Sequence, residues 1–181
     1  MKLNRYDNSW YRSGSATKRA LWFITSLCLF ETGIPYPTVL KVAVLRLFGA
    51  KIGSRIVLKP MVWIKYPWNL HVESDVWIGK GVEIDNLEMV KIGNNVCISQ
   101  NVCILTGNHN YRSDSFDLIV CPVFIGDAVW VGAYSKILPG ASLSEGTVIQ
   151  AGLVISHKTQ ANMVYHLDKK EMKFKSRYKN D

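Results

Sequence analysis

Four histidines, four cysteines and a scatter of carboxylates are the side chains of this 181-residue sequence best suited to chemistry. His109 stands apart by its neighbours. It lies in "LTGNHNY", residues 105–111, between two asparagines and just after a long series of aliphatic positions. Glycine and asparagine favour turns, so the regular chain breaks off there to display an imidazole, the side chain used most often as a general base. Catalytic zinc needs about three protein ligands, and His71, His109, His157 and His166 show no close paired spacing, which argues against a metal. Cys28, Cys97, Cys103 and Cys121 make no CxxC pair and no secreted-type disulfide framework. Cys97 and Cys103 hold equivalent places in successive sequence units, and read as small buried hydrophobes in a reducing compartment.

The elements that must position His109 follow from a period of six. Aliphatic residues recur at Ile52, Leu58, Ile64 and Leu70, at Val72, Ile78 and Ile84, and at Ile92, Ile98 and Ile104. The series resumes with Ile125, Val131, Ile137, Leu143, Ile149 and Ile155. Helices repeat near 3.6 residues and strands near 2, so neither sustains this spacing. A triangular solenoid does, with one strand and one corner per hexapeptide and three hexapeptides per coil. Starts at Ile52, Val72 and Ile92 are twenty apart, which implies two extra corner residues in each of the first two coils. From Ile104 to Ile125 the interval is twenty-one, so a loop over about 107–122 leaves the prism at His109. Loops on rigid scaffolds are where binding and catalysis concentrate. The expected architecture is an all-β solenoid of about five coils over 51–160. An N-terminal helical cap over 1–50 holds helices at 16–31 and 37–48, separated by "GIPYP", whose prolines break helical continuity. Residues 161–181 form a basic tail, too polar for another coil and better suited to an outer strand or helix.

Net charge is +8, yet it sits at the ends: five Lys/Arg against one acid in 1–20, seven against three in 158–181, and ten against ten between. That pattern argues against a nucleic-acid groove along the fold. It suits phosphate contacts or a membrane surface met by basic termini. "ALWFITSLCLF" is too short to span a bilayer and no cleavage motif follows it. A cytoplasmic protein is expected, and peripheral contact with the inner face of the membrane through the basic termini stays open beside it.

Five stretches carry a family resemblance: "LKVAVLRLFGAKIG", "IKYPWNLHV", "VWIGKGVEIDNL", "IGNNVCISQNVCILTGNHNY" and "IGDAVWVGAYSKILPGASLSEGTVIQAG". Over residues 50–160 the chain resembles the hexapeptide acyltransferases. Over nearly its whole length it is similar to the colanic-acid-biosynthesis acetyltransferase group, related to the maltose, galactoside and nodulation O-acetyltransferases. The resemblance implies a left-handed parallel β-helix and a homotrimer with its active site between neighbours. It implies direct acetyl transfer from acetyl-CoA to a hydroxyl of a sugar or oligosaccharide, lipid-linked or free, in surface-polysaccharide biosynthesis. No metal is implied. An N-acetyltransferase acting on an amino sugar and a non-catalytic scaffold subunit stay open beside it.

Residue by residue, His109 matches the family's general base. Asp85 and Asn86, in "EIDNLE", resemble residues near the acceptor, with Asn108 assisting, although Asx residues equally suit plain corners. Trp130 matches a tryptophan near acceptor and pantetheine, or packs between subunits. Gly132 and Ala133 match the backbone beside the thioester, where an N–H could meet the developing oxyanion. Ala151, Ser156 and His157 align with CoA-lining positions, and Lys158 could meet its phosphates. Two departures stand out: His157 replaces a usual lysine, and "VYHLDKKEM" replaces the family's Ala-Gly-Asn-Pro-Ala.

Overall fold

The computed structural model describes residues 2–167. Three columns of short parallel strands form the faces of a left-handed β-helix. The first face stacks Lys51–Ile52, Leu70–Val72, Val90–Ile92, Val123–Ile125 and Ser142–Leu143. The second stacks Val57–Leu58, Trp77–Ile78, Cys97–Ile98, Trp130–Val131, Val148–Ile149 and Val164–Tyr165. The third stacks Trp63–Ile64, Glu83–Asp85, Cys103–Leu105, Lys136–Ile137 and Val154–Ile155.

The period of six is the inward column. Ile64, Ile84, Ile104, Ile137 and Ile155 lie in register on the third face, all buried, and Leu58, Ile78, Ile98, Val131 and Ile149 do so on the second. Burying each such side chain contributes about 1.5–3 kcal/mol. Cys97 and Cys103 occupy the alternate, outward positions of their strands and are only half-buried. The expectation of buried cysteines therefore fails, because the inward place in each strand belongs to the isoleucine that follows the cysteine.

The extra residues collect at one edge. From the third face to the first, the chain takes eight positions between Ile64 and Val72 and eight between Ile84 and Ile92, against six elsewhere in these coils. The excursion between Ile104 and Ile125 leaves from this same edge.

Helix α1 (Ala16–Leu29) starts at Ser15, whose Oγ accepts from Lys18 N at 3.2 Å. It turns Trp22 onto the first coil, where the indole N–H donates to the Ile64 carbonyl at 2.8 Å. Helix α2 (Thr38–Leu47), entered through Pro37, buries Lys41, Val42 and Leu45. The two helices close the prism as expected. Lys41 is an oddity: among the described residues its amine meets only the Lys59 carbonyl, at 3.3 Å, and burial pushes its pKa down. At the far end Val164–Tyr165 pairs in parallel with Val148–Ile149, beginning a sixth coil where an outer strand or helix was expected. Tyr165 takes the register position above Ile149, so its ring covers an apolar end that polar neighbours could not. Most of the basic tail, residues 168–181, lies outside the described residues.

Candidate active site

The edge joining the third face to the first is tied together by side chains. Asn86 is fully buried; its Oδ1 accepts from Tyr66 N at 2.9 Å and its Nδ2 donates to Tyr66 O at 2.7 Å. Thr106, also fully buried, donates through Oγ1 to Asp85 O at 3.0 Å and accepts there from Glu88 N at 2.9 Å. Thr106 thus anchors the root of the loop. From it the chain makes an antiparallel hairpin, Gly107–His109 against Leu118–Val120, and returns where Cys121 N donates to Thr106 O at 2.9 Å.

His109 is held on three sides. Its backbone N–H donates to Asn108 Oδ1 at 2.8 Å. Its ring stacks on Phe116, with centroids 4.3 Å apart and planes 2° from parallel, and tilts against Tyr6 at 5.5 Å. Nδ1 lies 3.0 Å from the Phe116 carbonyl. A carbonyl only accepts, so Nδ1 carries the proton and Nε2 keeps a lone pair. Phe116 supplies both ring and carbonyl from a φ of +52°, a conformation bulky residues rarely adopt. Backbone strain of this kind collects where geometry matters to function.

His109 and Asp85 line one cavity of about 330 Å³, together with Lys65, Tyr66, Leu87 and the N-terminal Tyr6, Asn8 and Tyr11. Lys65 Nζ stands 2.8 Å from Asp85 Oδ1, an ionic contact not aligned as a hydrogen bond. Tyr11 Oη donates to Leu87 O at 2.5 Å, and Lys2 N donates to Asp114 O at 2.7 Å, so the N-terminal segment is laid across the loop. Hydroxyl, amide, carboxylate and imidazole groups among aromatic rings can orient a polyhydroxylated ligand. Cys103 is no nucleophile: burial, with Glu83 beside it, pushes its thiol up to about 11.

A second site lies at the edge between the second and third faces. A groove of about 810 Å³ is lined by Trp130, Gly132, Ala133 and Ala151, with Ser99, Gln100 and Gln150. Trp130 is 52% exposed and its Nε1 donates to Ser99 Oγ at 3.0 Å. A Cβ on Gly132 would lie 2.6 Å from Ala151 N and 2.7 Å from Ile149 O, so only glycine lets these coils meet.

Two expectations need correcting. Asn86 is sealed from any ligand, and both ends of its amide are engaged by Tyr66. Gly132 N–H donates to Ile149 O at 2.7 Å within the coil ladder, so it has no proton left for an oxyanion. Ala133 N–H makes no such bond among the described residues. Asn108 is exposed and its carbonyl holds His109, and it does not line the cavity. Ser156, His157 and Lys158 are exposed at the next edge, outside the groove lining, with the His157 ring 6.2 Å from Tyr165. Lys65, Tyr6 and Tyr11 were missed. The phase of the extra residues could have pointed to Lys65, but nothing periodic marks the N-terminal tyrosines. Among the described residues no group of three or more His, Cys, Asp or Glu is placed to hold a metal ion.

A parallel β-helix of hexapeptide coils, with a tautomer-fixed histidine on an antiparallel hairpin, defines the class: a hexapeptide-repeat solenoid with an equipped loop. No family model matches the chain. It is 34% identical over 157 residues to the Escherichia coli K12 protein named colanic acid biosynthesis acetyltransferase WcaF, covering 85% of each. A solved maltose O-acetyltransferase from Clostridium difficile 630 superposes with a TM-score of 0.73 at 26% identity, over 82% of this chain and 81% of that one. An acetyltransferase from Vibrio cholerae, solved with acetyl coenzyme A, shares the fold with a TM-score of 0.74 at 20% identity, over 84% and 85%. The chain belongs to the hexapeptide-repeat acetyltransferase family.

Proposed function

We propose that the protein transfers acetyl from acetyl-CoA to a saccharide hydroxyl in surface-polysaccharide biosynthesis, with His109 as general base. The observation that carries this reading is the Nδ1 contact with the Phe116 carbonyl, which leaves Nε2 as the proton acceptor on a residue lining a polar cavity. A sugar hydroxyl is a weak nucleophile. Its proton passes to Nε2 while its oxygen attacks the acetyl carbonyl. The charge gathering on that carbonyl oxygen is met by Ala133 N–H. The C–S bond then breaks, and the departing CoA thiolate takes the proton from the imidazolium. Asp85 accepts hydrogen bonds from the sugar, and Trp130 covers pantetheine and acceptor. CoA runs along the groove past Ala151, whose small side chain leaves room. Ser156, His157 and Lys158 serve its far end.

The two sites lie on different edges of one prism, separated by a face whose six residues span at most about 20 Å. Reacting atoms must come within about 3–3.5 Å. A homotrimer resolves this by setting the loop edge of one copy against the groove edge of the next, with the exposed Trp77, Phe124 and Trp130 supplying apolar lateral surface.

The test follows acetyl-CoA consumption with a panel of hydroxyl and amino sugars, beside the melting temperature with and without CoA. O-acetyl product supports the reading, and turnover confined to amines makes it an N-acetyltransferase. Absence of both turnover and a CoA-induced thermal shift leaves a scaffold. Ala151→Trp should abolish the thermal shift while sparing the fold. Light scattering that reports a monomer at micromolar concentration would count against the shared site.

A further inference from the structure

Charge divides along the prism axis. Residues 8–72, the helical cap and first coil, hold nine Lys or Arg against one acid, Glu31, while residues 73–157 hold four against nine. Coils stack in chain order, so this division is spatial: a cationic cap end and a net acidic stack of coils over residues 73–157. The balance of the middle of the chain concealed it.

The cap end also carries apolar surface that none of the described residues covers. In α1, Leu21, Ile24 and Leu27 oppose the inward Trp22 and Ser26 and are 56%, 60% and 44% exposed. In α2, Val39 and Leu47 are each 82% exposed. A solvent-facing helix side is ordinarily polar. Neither helix holds an acid, and Lys18, Arg19 and Arg46 beside these faces meet rings or carbonyls and no carboxylate among the described residues.

We propose that the helical cap docks on an anionic lipid bilayer. An apolar face flanked by cations that meet no carboxylate among the described residues fits acyl chains below and anionic headgroups around them. A second copy of the same face would set like charge against like, which opposes pairing. No helix among the described residues is long and apolar enough to cross a membrane, so α1 and α2 lie on its surface.

One consequence rests on the acetyl-transfer reading: the acceptor is held at the membrane. The His109 cavity reaches down to Lys65 and Tyr66 of the first coil, and an apolar cleft of about 260 Å³ beneath α1 shares both residues. Arg19, Trp22, Phe23 and Trp63 line that cleft. A saccharide in the cavity would therefore have its lipid end directed to the docking face.

Flotation of the full-length protein with phosphatidylcholine vesicles, with and without phosphatidylglycerol, tests the docking. The protein should float with the anionic vesicles, lose that binding as salt rises, and stay behind with neutral ones. The double variant Ile24→Ser, Leu27→Ser changes exposed positions only. It should keep the parent melting temperature and bind anionic vesicles at least about tenfold more weakly. No flotation of the parent, or equal flotation of the variant, overturns the proposal. So does a large assembly of the parent that the variant breaks up without any vesicle binding, which would mean that copies pair through this face. Turnover on a water-soluble sugar reports on acetyl transfer separately, so the two readings fail independently.

Discussion

The groove edge and the loop edge of the prism are built by opposite means. Between the second and third faces the hexapeptide runs without interruption. Gly132, Ala133 and Ala151 keep the groove clear there, and backbone N–H groups such as that of Gly132 bond the next coil. Between the third and first faces each of the first three coils adds residues, and side chains of Asn86, Asn69 and Thr106 bond the additions to one another. Repetition makes a long open channel that suits an extended ligand. Interruption makes a smaller cavity, about 330 Å³ against 810 Å³, with varied chemistry, suited to a compact and selective one. The contrast teaches where such a fold can change what it recognises.

The largest expected effect separates the edges by function. His109→Ala should lower kcat by about 10²–10⁴, the usual worth of a positioned proton acceptor. The melting temperature and the thermal shift with CoA should hold, because His109 lies outside the inward stack and the groove. Near-normal turnover in a steady-state assay would sink the catalytic role. Asn86→Ala probes how the loop edge is held. It strands the Tyr66 N–H and C=O in a buried place, and urea unfolding should show a loss of about 3 kcal/mol. If stability is unchanged and only the acceptor KM rises, Asn86 is a ligand contact after all. Gly132→Ala is the counterpart at the groove edge, forcing a methyl against the backbone of the next coil at about 2 kcal/mol. Unfolding that matches the parent would mean that the coils give way more easily than their spacing implies.

Lys41→Met lies outside both edges and is the smallest effect, a gain of about 1 kcal/mol from removing a poorly paired buried amine. The folded pKa of Lys41 is lowered by burial, so the unfolded chain binds more protons between that value and 10.5. Lys41 therefore makes stability rise with pH across that window, and the variant should flatten the slope. An unchanged slope in unfolding curves taken between pH 7 and 10 would show that Lys41 stays charged in the fold.

Legibility in the sequence followed the same division. Inward columns, the two cap helices and the loop boundaries come from period and punctuation, which short strands and prolines impose locally. Ala133, Ala151 and Trp130 came from the family resemblance, and the repeat explains why Ala133 and Ala151, eighteen residues apart, share one edge. Asn86 was misread because an asparagine that closes a corner and one that binds a sugar are chemically the same. Its partner, twenty residues earlier, becomes visible only once coil register is known. The contacts of Tyr6 and Tyr11 depend on how an aperiodic segment lies across a distant hairpin, and no local propensity encodes that. A readable clue was passed over: the two-residue insertions after Ile64 and Ile84 share the phase of the excursion after Ile104.

That excursion has a consequence for how the chain can vary. In the first three coils a residue pairs with one twenty positions ahead, as Ile64 with Ile84; across the hairpin Ile104 pairs with Ile137, thirty-three ahead. Chain-closure entropy grows only with the logarithm of the segment length, so this lengthening costs about 0.4 kcal/mol. One ordinary hydrogen bond, worth about 1 kcal/mol, exceeds it. Coils above and below can therefore zip together by nearest-neighbour contacts whatever the hairpin's length. The segment that presents His109 is thus the one whose length the fold constrains least, and insertions or exchanges there should leave folding cooperativity intact.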